Sequence, residues 1–427
     1  MTRVVVCADV GSTFTKVAAV DLDTASLLAT AEHRTTVDSD VLHGLDAALA
    51  AVPTGETLDV CSSAGGGLRL AVVGYEELVT AEAGHRVGLS AGARVVHVAA
   101  GRLDRSGIAG VTGARPDVVL LVGGTDGGDA EVLVHNARAL ARMRPRRPVV
   151  VAGNVDGRDD AMAALGSSAV VTDNVLPRIG ELNPGPARAA IREVFLRHVI
   201  GGKHLSRGPR FASLVRGPTP DIVLTAVELL AATLGGDVVV VDVGGATTDV
   251  YSVVSPDPDA PPADVAGTLW ASRTVEGDLG VRWSAPSVVT AAARERLVHG
   301  DEELSLVDGA AVRAADPSYL PSEAADRAVE LRLAELAATV AVRRHARGKD
   351  LRRVRLVIGS GGVLRHQPTP ARAVLGRLLN DHAGGWTLPR TASVVVDADY
   401  VLAPAGLLAA THPDVAVRLL RTMTGIA

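Results

Sequence analysis

The chain has 427 residues, enough for two or three domains with ample core. Its net charge of −5 comes without a basic block, which excludes the electrostatic footprint of a nucleic-acid binder. Hydrophobic residues make up 47% but aromatics only 2%, so the core must be built from Val, Leu, Ala and Ile, as in α/β proteins with near-continuous apolar strands.

From the N-terminus, Val4-Val5-Val6 reads as a buried strand that closes on Asp9-Val10-Gly11-Ser12-Thr13-Phe14-Thr15-Lys16. Alternation over Thr15 to Val20 fits a return strand. The start lacks the long apolar core of a signal peptide. Cys7 and Cys61 lie in or beside strands and read as reduced, buried thiols of a cytoplasmic protein. No Cys-x-x-Cys or zinc spacing occurs. Val60 leads into Cys61-Ser62-Ser63-Ala64-Gly65-Gly66-Gly67, a strand followed by a small-residue loop that is either a domain-connecting segment or an ordinary tight turn.

Residues 89–215 read as an insertion with its own sheet. Arg94 to Val98, Asp117 to Val122, Pro148 to Val151 and Ala169 to Thr172 are strand patterns with helices between them. That alternation predicts a parallel, Rossmann-like subdomain. The loop Gly123-Gly124-Thr125-Asp126-Gly127-Gly128-Asp129 stands between strand and helix, where a ligand would bind. It lacks the lysine of a P-loop and the spacing of a dinucleotide fingerprint, so a structural or partner-contacting role stays open beside a ligand site.

The stretch 222–241 is apolar but holds Glu228, Gly235, Gly236 and Asp237. Thr219-Pro220 starts a helix and Gly235-Gly236 stops it, giving helix then strand rather than a membrane span. The strand Val238 to Val241 closes on Asp242-Val243-Gly244-Gly245-Ala246-Thr247-Thr248-Asp249, the same order of acid, glycine turn and hydroxyls as at Asp9. Ser255 to Pro262 reads as an exposed connection, and Ser322 to Arg344 as a helix. The arginines from Arg343 to Arg355 read as a solvated helix face. Val354 to Ile358 is a strand running into Gly359-Ser360-Gly361-Gly362.

Two such hairpins can clamp phosphate. Glycine lets the backbone approach closely, successive N–H groups bind anions, and hydroxyls add donors. Asp9 and Asp242 can together hold a hydrated magnesium ion. A glycine loop after a third strand can lie flat against a purine and ribose.

These three motifs in this order resemble the actin–sugar kinase–heat-shock chaperone ATPase superfamily. Asp9, Gly11, Thr13 and Lys16 match its first phosphate motif; Asp242, Gly244, Thr247 and Asp249 match the second; Gly359, Gly361 and Gly362 match the adenosine motif. The tail from Asp397 to Leu408 looks like its last connecting helix. A closer resemblance spans nearly the whole chain. The words ADVGSTFTKVAAVD, CSSAGGGLRLAVVG, LLVGGTDGGDAE, VDVGGATTDVYSV and TVEGDLGVRWSA are similar to the MutL-type (GlmL) glutamate mutase accessory proteins, a family unrelated to the mismatch-repair protein of similar name.

The resemblance implies an α/β fold: a two-lobed actin-like ATPase of duplicated ribonuclease H-like domains with an inserted Rossmann-like subdomain. The segments would be 1–88, 89–215 and 216–427. It implies ATP and magnesium as cofactors and subunits of an adenosylcobalamin-dependent mutase or aminomutase as partners. The chain would be a reactivating chaperone that exchanges damaged cofactor, with no nucleic-acid or membrane partner. Asp242 would orient the attacking water, Asp9 would be the second magnesium-shell carboxylate, and Lys16 and Thr13 would stabilise phosphate charge. Gly11, Ser12, Thr15, Gly244, Gly245, Thr247, Thr248, Gly359, Ser360, Gly361 and Gly362 would complete the nucleotide site. Glu276 and Arg282 fall where related ATPases place groups near ribose or adenine, although ion pairing explains them equally. A small-molecule kinase of the same fold is the alternative. A cobalamin-binding subunit is disfavoured, because none of the twelve histidines follows the Asp-x-His pattern of a cobalt ligand.

Overall fold

The computed structural model describes residues 3–202, 204–255, 266, 269–347, 349–381 and 383–425. The chain divides into two compact units, 1–224 with 256–272, and 225–255 with 273–427. One division falls within the helix Thr219–Leu234 and another within the strand Ala271–Glu276, most of which belongs to the second unit.

The first unit holds two sheets. Strands β1 (Val4–Val10), β2 (Phe14–Asp21), β3 (Ser26–Arg34) and β4 (Thr57–Ser62) are followed by β5 (Leu68–Gly74), β6 (Ala93–Ala100), β7 (Val118–Leu121), β8 (Val149–Val151), β9 (Ala169–Val171) and β10 (Val215–Pro218). One sheet has the order β10-β4-β1-β2-β3, with β1 antiparallel to β2 and parallel to β4. The other has the order β6-β5-β7-β8-β9 and is parallel throughout. The inserted sheet therefore lies in sequence between two neighbours of the first sheet, β4 and β10.

The insertion begins earlier than residue 89. Leu68–Gly74 is the second strand of the parallel sheet, so its boundary follows Ser62 rather than the next helix. Nor does it stand apart. Val6, Val10, Val17 and Val60 of the first sheet share one apolar cluster with Leu70, Val72, Val118 and Leu120 of the second, and with Ile191, Phe195 and Phe211. The opposite face of the parallel sheet carries Ala71, Val73, Val119 and Leu121 against Leu133, Ala137 and Leu140.

The second unit holds β11 (Val238–Val243), β12 (Thr248–Val253), β13 (Ala271–Glu276), β14 (Leu356–Ser360) and β15 (Ser393–Val396), ordered β13-β12-β11-β14-β15. In chain order this repeats the first sheet: the first strand is central, flanked by its antiparallel return strand and a parallel fourth strand. The duplication read from two motifs thus extends to whole sheets. The core around Val239, Val241 and Val357 is aliphatic, closed by the helix Ala324–His345 through Leu333, Leu336 and Val340. The expected connection over 255–262 lies outside the described residues, apart from Ser255.

Of the arginines from Arg343 to Arg355, Arg347, Arg352, Arg353 and Arg355 are exposed, but Arg343 and Arg344 at the end of Ala324–His345 do not form a solvated face. Arg343 is buried and its guanidinium donates to both Asp381 oxygens at 2.7 and 2.8 Å, and to Glu295 at 2.9 Å. Arg344 donates to Glu276 and Asp278. Helical periodicity shows which residues share a face, but not that acids from distant segments meet that face. Among the described residues no helix is long and apolar enough to cross a membrane.

The shared cluster has a direct consequence. Deleting residues 89–215 should not leave a folded first unit, because it strips Val118, Leu120, Ile191, Phe195 and Phe211 from the core of the first sheet. Each lost large side chain costs about 2–5 kcal/mol, against a total stability of about 5–15 kcal/mol. Amide hydrogen exchange should show no protection in β1, β2 and β4 of this deletion; protected amides in those strands would contradict the shared core.

Candidate nucleotide-binding hairpins and their supports

Each hairpin is made by the same contact. Gly11 N donates to Phe14 O at 3.1 Å, and Gly244 N to Thr247 O at 2.9 Å. A Cβ on Gly11 would stand 2.8 Å from Phe14 O, and one on Gly244 2.9 Å from Thr247 O, so neither turn admits a side chain without shifting. The registers are also equivalent. Asp9 pairs with Lys16 and Val10 with Thr15; Asp242 pairs with Asp249 and Val243 with Thr248. On the parallel side Asp9 stands beside Cys61, and Asp242 beside Ser360.

In the first unit the Asp9 carboxylate is nearly buried at 5% exposure. Its Oδ1 accepts from Thr219 Oγ1 at 2.5 Å and from Cys61 Sγ at 3.6 Å. Burial pushes the Cys61 thiol well above its ordinary value, aided by the Asp9 charge, so it stays a neutral donor. Two neutral donors on one oxygen fix the orientation of the carboxylate. In the sequence Thr219 reads only as a helix start and Cys61 only as a buried thiol. Their signal was the position of each immediately at the end of a strand, but which strands are neighbours is a tertiary fact. Ser12 is exposed, and Thr13 and Lys16 are half-buried. Thr15 is fully buried, its hydroxyl 3.0 Å from that of Thr35, so that side chain is spent within the protein rather than offered to a ligand.

In the second unit the turn is braced by a later segment. Gly244 O accepts from Val281 N at 3.1 Å; Gly245 O accepts from Arg282 N at 2.8 Å and Trp283 N at 3.0 Å. Ser284 Oγ donates to Ala246 O at 2.9 Å, and a Cβ on Gly280 would stand 2.2 Å from Ala246 C. The words VDVGGATTDVYSV and TVEGDLGVRWSA are thus two halves of one contact. Thr248 Oγ1 donates to Leu279 O at 2.6 Å from a fully buried site, so this hydroxyl too is internal. Thr247 Oγ1 donates to Asp249 Oδ2 at 3.2 Å.

Asp249 is held by Arg273, whose Nε donates at 2.8 Å from a buried position under the Tyr251 ring. Burial alone would lower the Arg273 guanidinium, but Asp249 holds it above its ordinary value. Asp249 therefore serves a structural ion pair. Arg282 pairs with the buried Glu330, and Glu276 with Arg344 at 2.7 Å. Ion pairing accounts for both residues, one pair buried and the other partly so.

The glycine loop after β14 divides by position. A Cβ on Gly359 would meet Leu375 at 2.5 Å, so this glycine serves helix packing. Ser360 is buried. Gly361 has φ +99°, and a Cβ there would lie 2.2 Å from Val243 O and 2.9 Å from Asp242 Oδ1. Gly361 is thus needed by the phosphate hairpin itself. A Cβ on Gly362 would meet nothing within 4 Å, which makes it the open member of the loop. In the first unit the loop Ala64–Gly66 stands where this loop stands, after the fourth strand. The segment after Cys61 is the first half's counterpart of the glycine loop.

The MutL protein family model matches residues 5–424. The chain belongs to this family. It is 34% identical over 449 residues to Protein MutL of Clostridium tetanomorphum, covering 97% of each chain. Among solved structures it is similar to a ROK family glucokinase from Streptomyces griseus in complex with glucose and AMPPNP, at 13% identity, 98% and 99% coverage and a TM-score of 0.33. It is also similar to Porphyromonas gingivalis acetate kinase, at 12% identity, 95% and 99% coverage and a TM-score of 0.32. The actin-like α/β fold rests here on the duplicated strand order.

Gly361→Ala should destabilise the protein by about 2–4 kcal/mol, combining overpacking with a backbone conformation unfavourable to a side chain. Gly362→Ala should stay within about 0.5 kcal/mol. Urea denaturation of both variants separates these outcomes, and equal midpoints would refute the packing of Gly361 against Asp242.

Proposed function

We propose that this MutL-family protein is a magnesium-dependent ATPase that reactivates an adenosylcobalamin-dependent mutase or aminomutase of the glutamate mutase kind. The observation that carries the ATPase is the repeated hairpin: acid, glycine turn and return strand in the same register twice, at Asp9 and at Asp242. Family membership and the near-full-length likeness to Protein MutL support the client class.

The residues fit magnesium in one manner. Among the described residues no group of three or more metal-binding side chains occurs. Magnesium commonly keeps several waters and takes one or two carboxylates together with substrate phosphates. Asp9 and Asp242 are each a carboxylate of the kind that mode uses, and when bound the ion would neutralise phosphate charge. The chain's own contributions are positional. Ser12 and Thr13 offer backbone and hydroxyl donors from the first turn and Gly245 a backbone donor from the second, while the Gly11 and Gly244 N–H groups close the turns and the Thr247 hydroxyl is held by Asp249. Lys16 adds a cation opposite Asp9. Asp242 orients the attacking water, while Thr219 and Cys61 keep the Asp9 carboxylate in one orientation. Gly362 borders the adenosine. Phosphoryl transfer depends mainly on positioning and charge, so this set suffices. A coupling of about 1–3 kcal/mol between nucleotide state and partner affinity is enough to loosen a mutase subunit and release damaged cofactor in the cytoplasm.

Asp9→Ala and Asp242→Ala should each abolish magnesium-dependent ATP hydrolysis without lowering the melting temperature by more than a few degrees. Wild type with ATP and fresh adenosylcobalamin should restore turnover to an inactivated mutase, and neither variant should. Phosphorylation of a small metabolite far above the ATPase background, with no mutase responding, would establish the kinase instead. Thr219→Val should raise the magnesium concentration needed for half-maximal ATPase, and Thr219→Ser should restore it; equal magnesium dependence in all three proteins would remove Thr219 from the site.

A further inference from the structure

The inserted parallel sheet has a feature that the ATPase does not use. Its strands run β6-β5-β7-β8-β9, so β5, first in the chain, lies inside the sheet with its successors on both sides. The helix Glu82–Ser90 after β5 packs on one face through Ala83 and Val87, beside Leu70 and Val72. The helix Glu131–Leu140 after β7 packs on the other through Leu133 and Ala137, beside Ala71 and Val73. The connections leave in opposite directions between β5 and β7. In open parallel sheets this is where a crevice forms beyond the carboxyl ends of the strands.

A cavity of about 100 Å³ lies at that point, bounded by Glu76 and Val79 after β5, by Gly124, Thr125 and Asp129 after β7, and by Ile179. Its glycine loop is held in place. Buried Asn174 donates to Gly124 O at 3.0 Å and Asp126 Oδ1 at 2.8 Å, and buried Asn154 donates to Gly128 O at 2.9 Å.

The lining selects the ligand. Glu76 Oε2 accepts from Thr80 and Asp129 Oδ1 from Glu131 N; the other oxygen of each carboxylate has no hydrogen-bond partner among the described residues. Among the described residues no Lys, Arg or His lines the cavity, and the neighbouring Arg178 is paired with Glu181. Phosphate is thereby repelled. Val79 and Ile179 add aliphatic wall, and Ile179 is 62% exposed at the surface. The volume is well below the roughly 300–1,000 Å³ of sites that enclose a whole organic ligand. We infer that this cavity binds an alkyl cation, an ammonium or guanidinium head between Glu76 and Asp129 with its aliphatic stem along Val79 and Ile179. Such a group is amphipathic in the way the cavity is. Its source is either a free amine or a lysine or arginine side chain of another protein.

Titration of the full-length protein with n-butylammonium, followed by amide chemical shifts, should show saturable binding at Gly124, Thr125 and Thr80. Glu76→Gln and Asp129→Asn, which keep the Thr80 and Glu131 contacts, should each weaken it about tenfold at unchanged melting temperature. n-Pentanol and inorganic phosphate should not bind there. N-acetyl-lysine methylamide distinguishes the sources: binding equal to n-butylammonium assigns the cavity to a protein side chain, and its exclusion assigns it to a free amine. Absence of n-butylammonium binding, equal binding of n-pentanol, or unchanged affinity in both variants would overturn the inference. None of these readouts involves ATP or a mutase, so the result stands apart from the proposed function.

Discussion

Both hairpins depend on one close approach, in which the carbonyl three residues after a glycine comes too near for a β-carbon. Phe14 O stands at that distance from Gly11 and Thr247 O from Gly244. The contact closes the turn, and turn closure sets the strand register. Register in turn places Asp9 opposite Lys16 and Asp242 opposite Asp249. Because side chains alternate across a strand, a slip of one residue would turn each acid to the other face. The carboxylates are thus positioned by the absence of two methyl groups.

The duplicated frame is decorated differently in its two copies. In the first unit the residue opposite the acid is a lysine, and in the second it is an aspartate neutralised by the buried Arg273. The parallel neighbour is a thiol in one and a hydroxyl in the other. Thr219, just after the fifth strand of the first sheet, donates to Asp9. Asp397 follows the fifth strand of the second sheet; it accepts from Val401 N at 2.6 Å and Leu402 N at 3.2 Å, and burial raises its carboxyl above the ordinary range despite those donors. Equivalent backbone places therefore carry distinct electrostatic tasks, and the copies are not interchangeable.

The inserted sheet is joined to the first by a common core, so it is part of the first unit's stability and not a detachable module. That arrangement gives its glycine loop a rigid base. Asn154 and Asn174 place amide groups inside the protein where each meets a backbone carbonyl, which makes the loop conformation costly to change.

Read alone, the sequence determined the hairpins, the third glycine loop, the parallel insertion and the family. These are local: a glycine turn after an apolar run, or an alternation of strand and helix, is written in neighbouring residues. The helix starting at Thr219 and the strands from Val4, Val238 and Leu356 are legible for the same reason. Tertiary structure alone decided which hydroxyls are spent internally, since Thr15 and Thr248 look identical in sequence to ligand donors until Thr35 and Leu279 are brought against them. It decided that Gly361 serves Asp242, that the segment 279–284 braces the second turn, and that Thr219 and Cys61 hold Asp9. Each of these contacts joins residues tens to hundreds of positions apart. Such pairings are set by strand order and burial, which no local pattern encodes.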